Sequence, residues 1–178
     1  MPDRPALPPA VLLDGTYGVG KSAVLDHMGD LLAETGTPFS LMDVDGFHRS
    51  WPTAAWDPDN VVVEARAMAA VWAEHLTAGP RQLVISGVVA ERADLDRYRD
   101  ALGIEVRCVR LTASDAVVEA RLRARYDADR SAALDWHLAR FRELAARQER
   151  AGLAEAVIAT DGLSPREVAL SVRAALGL

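Results

Sequence analysis

Eight residues near the start of the chain, Gly15-Thr16-Tyr17-Gly18-Val19-Gly20-Lys21-Ser22, satisfy the pattern G-x-x-x-x-G-K-[ST] at every defined position. The pattern has a physical logic. Glycines let successive backbone N–H groups curl around phosphate oxygens, the lysine reaches the outer phosphates, and the hydroxyl faces Mg²⁺. Such a loop needs a strand before it and a helix after it, and both are legible. Val11-Leu12-Leu13 is a short apolar run, while Val24, Leu25, Met28, Leu31 and Leu32 recur at helical spacing. The helix N-terminus adds the positive end of its dipole to the anion site. The ligand implied is a nucleoside triphosphate, cradled by residues Gly15 to Ser22, with Ser22 on the metal.

The rest of the chain repeats this alternation. Apolar runs at 11–14, 39–43, 82–86, 104–111 and 156–160 are separated by helical patterns near 21–34, 60–77, 93–102, 115–125, 132–150 and 166–176. Strands alternating with helices mean an α/β protein with a largely parallel sheet. Gly36, Gly79-Pro80 and Gly103 close the first three helices, and Ser164-Pro165-Arg166-Glu167 has the form of a capping box. No repeat, low-complexity tract or long linker divides the 178 residues, so one domain over 1–178 is expected.

Composition narrows the partners. A net charge of −6, with basic residues concentrated in one arginine cluster, argues against nucleic acid. No apolar run approaches membrane-spanning length, and the proline-rich lead-in up to Pro9 lacks the apolar core of an export signal. The single cysteine, Cys108, lies in an apolar alternation and reads as core, consistent with a reducing cytoplasm.

Two further constellations carry chemistry. Asp43-Val44-Asp45-Gly46-Phe47-His48-Arg49 stands just beyond the second strand. Open α/β sheets bind ligands outside the carboxyl ends of their strands, so this segment should face the phosphate loop. A carboxylate there can take a proton from an attacking hydroxyl or hold the Mg²⁺ water shell, and Arg49 can clamp an anionic group. Asp45 is preferred over Asp43, which can still belong to the strand; the bland alternative is a pair of turn-forming aspartates. His48 has no second histidine at ligand spacing and reads as a solvated or substrate-edge residue. The second constellation is Arg121, Arg123, Arg125 and Arg130, at the end of one helix and before the next. It fits either a cationic lid over a transferring phosphoryl group or a solvated helix face, since Arg121 and Arg125 share one face. Tyr126-Asp127-Ala128-Asp129 reads as a polar hinge with little to bury. His137, Arg140 and Arg142 read as surface residues. Trp51 and Trp56 occupy a long loop, either lining a pocket or anchoring that loop; Arg66 points into an acceptor cleft or pairs with Glu64 or Glu74; Trp72 reads as core.

The order of these motifs, ending in Thr160-Asp161-Gly162-Leu163-Ser164-Pro165, resembles small-molecule P-loop kinases. It is most similar to adenylylsulfate kinases, with gluconate and shikimate kinases and chloramphenicol phosphotransferase as cousins. The stretch from Leu83 through Ser86 and Arg92 to Arg97 also resembles the adenylylsulfate kinase segment in which a serine ends strand three and arginines follow. The resemblance implies a three-layer, nucleoside monophosphate kinase-like fold with helices on both faces of a five-stranded parallel sheet of order 2-3-1-4-5. It implies ATP with Mg²⁺ as donor, Asp45 as base or metal-shell ligand, Arg49 and Arg92 at the acceptor, and the adenine between the lid and the loop of Thr160 and Gly162. Together with the residues read above, the catalytic candidates are Lys21, Asp45, Arg49 and Arg125, the metal candidates Ser22 and Asp45, the acceptor candidates Asp43, Asp45, Arg49, Trp51, Arg66 and Arg92, with Arg121 a candidate for the adenine. Where adenylylsulfate kinases carry Asp-Gly-Asp-Asn, this chain has Asp43-Val44-Asp45-Gly46, and it lacks their lysine- and glycine-rich lid and the histidine and aromatic lid signature of gluconate kinases. The acceptor is therefore unassigned. The rival reading is an ATP-binding regulatory or resistance protein with weak turnover; a GTPase is disfavoured because no Asn-Lys-x-Asp occurs.

Overall fold

Five strands pair in parallel: Ala10–Asp14 (β1), Phe39–Asp43 (β2), Gln82–Ser86 (β3), Val106–Thr112 (β4) and Ala156–Ala159 (β5). Their order across the sheet is β2-β3-β1-β4-β5. The computed structural model describes residues 7–178, so most of the expected lead-in lies outside the described residues. Between the strands run Lys21–Glu34 (α1), Val61–Leu76 (α2), Arg92–Leu102 (α3), Asp115–Arg125 (α4), Ser131–Ala151 (α5) and Pro165–Leu176 (α6).

The central strands are covered on both faces, which is why β1 and β3 are buried at every position. Alternate residues of β1 feed two cores. Val11 and Leu13 pack with side chains of α1, α4, α5 and α6. Ala10 and Leu12 pack on the other face with Met68 and Trp72 of α2 and Leu95, Tyr98 and Leu102 of α3. Cys108 belongs to this second core, as expected, and burial pushes its thiol well up. It is a small apolar residue here, not a nucleophile.

Boundaries follow local chemistry. Strands β2 and β3 and helices α1 and α4 fall where the sequence pattern puts them. Strand β4 starts at Val106 instead of residue 104, because Gly103 ends α3 in a left-handed conformation (φ 65°) and the chain must still turn into the sheet. Helix α6 opens with the expected capping box between Ser164 and Glu167 and a proline in its first turn.

Parallel strands end on one edge, and register sets what meets there. Asp43 pairs with Ser86, and Ser86 with Leu13, so the last residues of β2 and β3 lie beside the end of β1, where Asp14 leads into the phosphate loop. No helix among the described residues is long and apolar enough to cross a membrane.

Candidate functional site

The loop after β1 turns at glycines that no other residue can replace cheaply. Gly15 has φ 143°, and a Cβ there would lie 2.5 Å from the Leu111 carbonyl oxygen. Gly20 has φ 100° and directly precedes α1, whose first residue is Lys21. Lys21 is buried, and its ammonium donates to the Gly15 carbonyl at 2.7 Å and the Thr16 carbonyl at 3.2 Å. Burial pulls its pKa down and Arg125 acts in the same direction, while the charges of Asp45, Asp14 and Asp43 oppose the shift. One ammonium thus shares its field with three carboxylates and one guanidinium.

Strand β2 ends at Asp43, and a single 3₁₀ turn follows over Val44–Gly46. The Asp43 carboxylate accepts from the Ser22 hydroxyl at 2.7 Å through one oxygen and from the Asp45 N–H at 3.3 Å through the other. The structure therefore brings Asp43, not Asp45, to Ser22. Asp45 is exposed, and its charge acts on Lys21, on Tyr17 of the loop and on His48.

Beyond this turn, Arg49 is exposed, Trp51 is 90% exposed and Trp56 is 63% exposed. The base of the loop is nonetheless tied down. The Asn60 amide donates to the carbonyls of His48 (2.8 Å) and Ser50 (3.2 Å), and the Asp57 carboxylate caps α2 by accepting from Val62 and Val63 N–H. Arg66 pairs with neither Glu64 nor Glu74. Its guanidinium lies 5.6 Å from the Trp56 ring centroid and borders a groove between α2 and α3. Glu64 instead meets His48, whose side chain remains exposed, as expected of a solvated or substrate-edge residue, on the side away from that carboxylate.

The arginine segment divides. Arg121 is half-buried and donates to the loop carbonyls of Gly18 (3.4 Å) and Val19 (3.2 Å) and to the hydroxyl (2.9 Å) and carbonyl (3.1 Å) of Thr160. It staples the phosphate loop to the residue that follows β5. Gly162, φ 69°, turns the chain just beyond, and Asp161 accepts from the Ser114 N–H and hydroxyl at the start of α4. Arg125 and Arg130 are exposed and flank the Tyr126 ring, at 5.6 and 5.2 Å from its centroid. The expectation that 126–129 has little to bury is wrong at one position. Tyr126 is 9% exposed and stacks on His137. His137 is correspondingly no surface residue, since it is half-buried and also packs edge-on against Tyr17. Arg140 lies over the exposed Trp136, and Arg142 joins Asp115 and Glu119 at the surface.

Several residues that position the loop carry no motif. Asp14 is 3% exposed, and one of its oxygens accepts from the Val89 N–H (2.9 Å) and from the Gln148 amide of α5 (2.8 Å). Burial raises its pKa despite those bonds. The Thr16 hydroxyl donates to the Phe141 carbonyl at 2.9 Å. A carboxylate closing an apolar strand just before a phosphate loop is a usable signal for Asp14; nothing local marks Gln148. Arg92, at the start of α3, borders a groove of about 450 Å³ shared with Arg147 and Arg150 of α5. None of these three guanidiniums makes an ion pair among the described residues.

No protein-family model matches the chain, and no curated protein sequence does. Solved structures do. A tunicamycin resistance protein from Deinococcus radiodurans is 18% identical with a TM-score of 0.65, each chain covered to 96%. The APS kinase of Mycobacterium tuberculosis, solved with AMPPNP and APS, gives 19% and 0.62, covering 98% of this chain and 100% of its own. A gluconokinase from Sinorhizobium meliloti gives 20% and 0.61, covering 98% and 94%. At these identities the likeness is one of fold: the chain has the nucleoside monophosphate kinase-like fold of P-loop small-molecule kinases, over nearly its whole length.

Proposed function

We propose that the chain is an ATP-dependent phosphotransferase that moves the γ-phosphoryl group to a small, hydroxylated and anionic acceptor. The observation that carries this reading is the meeting of Ser22 with Asp43 beside Lys21, with Asp45 and Arg125 close enough to act on the same ammonium. A protein that only holds nucleotide needs the loop; it does not need a second carboxylate and a guanidinium whose charges both reach the loop lysine. In this reading Lys21 draws charge from the phosphates, Asp45 takes the proton of the acceptor hydroxyl, and Arg125 neutralises the transferring group. Arg121 holds the loop against Thr160, where the base is bound.

The residues fit magnesium. Among the described residues no group of three or more His, Cys, Asp or Glu could cage a metal, and Ser22 with Asp43 offers two oxygens side by side. Magnesium keeps most of its waters and takes the rest of its shell from phosphates, so two protein oxygens suffice. When bound, it would neutralise phosphate charge.

The acceptor's charge is argued from Arg92, Arg147 and Arg150. These three exposed guanidiniums line one groove together with Glu91, outnumbering its carboxylate, so a carboxylate, sulfate or phosphate suits them as a partner. The test is ADP release from Mg·ATP across a panel of hydroxylated metabolites with and without an anionic group. Stimulation by anionic members, lost about tenfold or more in kcat/KM when Arg147 and Arg150 become alanine, supports the reading. No stimulation by any member would favour the nucleotide-binding regulatory or resistance protein.

The arginine segment should behave as a lid hinged beside Tyr126. Trypsin is expected to cut after Arg125 and Arg130 faster in the free protein than with Mg²⁺ and a non-hydrolysable ATP analogue. Tyr126→Ala, which removes the anchor, should raise the rate in the free protein further. Equal cutting with and without nucleotide would return the cluster to a solvated helix face.

A further inference from the structure

We propose that His48 is a positioning residue: a charged imidazolium, clamped between the Glu64 carboxylate and the Asp59 carbonyl, that pins the turn bearing Asp43, Asp45 and Arg49 to helix α2. The argument begins with its two ring nitrogens. Nε2 faces the Glu64 carboxylate, and Nδ1 lies 3.2 Å from the Asp59 carbonyl oxygen. Both partners only accept. A neutral ring has one N–H and one lone pair, so one contact would set lone pair against oxygen; the cation presents an N–H on both sides and pairs its charge with the carboxylate.

Burial makes the pair obligatory. Glu64 is 2% exposed, one turn into α2, with the half-exposed imidazole as its cationic partner. The buried Tyr98 of α3 also feels this carboxylate, whose charge adds to burial in raising the pKa of its hydroxyl. Gly87, just after β3, leaves room for that hydroxyl, since a Cβ there would sit 3.1 Å from it and 3.0 Å from Val44. The groups facing His48 are thus Glu64 from α2, Asp45 from its own turn and the Asp59 carbonyl. Each favours the cation, and the His48 pKa is raised, with Glu64 the main cause and burial opposing. The main chain is held as well, because the Asn60 amide takes the His48 carbonyl. Side chain and backbone of one residue therefore fix the exit of the turn, three residues beyond Asp45.

The sign for pH follows. The folded pKa lies above the unfolded value of about 6.5, so the clamp is fully present below that pH and is lost as pH climbs through the folded pKa. Loss leaves the Glu64 carboxylate buried without a cation, and the turn is released.

Two measurements test this. In the native protein, the His48 ring nitrogen shifts should report both nitrogens protonated at pH values where a histidine in an unfolded peptide is neutral. Hydrogen exchange of residues 44–60, corrected for intrinsic base catalysis, should accelerate about tenfold or more as that proton leaves. His48→Gln, at a position exposed enough to accept it, should show the faster exchange at every pH. A neutral ring at pH 6.5, or exchange in His48→Gln equal to the native rate, overturns the pin. The positioning role rests on Asp45 acting as proposed above, and it has its own readout. Turnover in His48→Gln should fall about tenfold or more in kcat with little change in KM for ATP, and its alkaline limb should disappear. Faster exchange with unchanged turnover overturns the positioning role. If the native protein transfers to no acceptor, it is the proposed function that fails, and the pin stands or falls on the ring shifts and exchange.

Discussion

Lys21→Ala is expected to abolish phosphoryl transfer while leaving the chain folded. A cation that tightens on the transferring phosphoryl group is worth on the order of 3–4 kcal/mol in the transition state, a hundredfold or more in rate. The folding cost is smaller but not zero, because Lys21 is buried and donates to the Gly15 and Thr16 carbonyls. Losing two such bonds costs about 1–3 kcal/mol. Lys21→Met, which keeps the buried stem, separates the two effects. Both variants should lose turnover alike, whereas thermal unfolding should show the methionine protein closer to the parent. Turnover at the parent rate in either variant would mean that this loop does not hold the donor.

Asp45→Asn should leave nucleotide binding intact and lower transfer by roughly a hundred- to ten-thousandfold, since the amide keeps the shape and cannot take a proton. The geometry around Ser22 makes the companion variant informative. Asp43 accepts from both the Ser22 hydroxyl and the Asp45 N–H. Asp43→Asn should therefore act mainly through the metal, raising the Mg²⁺ concentration needed for half-maximal rate. Titrating magnesium against both variants distinguishes them. A metal requirement that shifts in Asp45→Asn and not in Asp43→Asn would exchange the two roles.

What the sequence made legible is what short-range physics encodes. The phosphate loop is eight consecutive residues, and strand β2 and helix α1 are bounded by residues whose pattern changes abruptly there. Asp43 and Asp45 were visible because they directly follow a strand. The ties that hold the site in place were not. Gln148 reaches Asp14 across 134 positions of sequence, and Thr16 reaches Phe141 across 125. No periodicity or motif announces a glutamine on one helix as the partner of a carboxylate on a distant strand. His137 was misjudged for the same reason, since a lone histidine looks like a surface residue until Tyr126 is folded against it. Tyr126 was overlooked inside a polar stretch, where its ring is the one large apolar surface.

Helix α5 has a mechanical meaning beyond its packing. It is 21 residues long, about 30 Å of rod. The loop and the strand before it grip that rod along much of its length: Tyr17 on Trp136 and His137, Thr16 on Phe141, Asp14 on Gln148. A beam held at three points does not swing. If the arginine segment closes as proposed, the short turn over Ala128–Arg130 that leads into the helix is where that movement would be taken up. The same beam runs the other way, carrying Arg147 and Arg150 on its far end. Fixing the beam to the phosphate loop therefore also fixes where those two arginines stand relative to the loop, in the groove they share with Arg92.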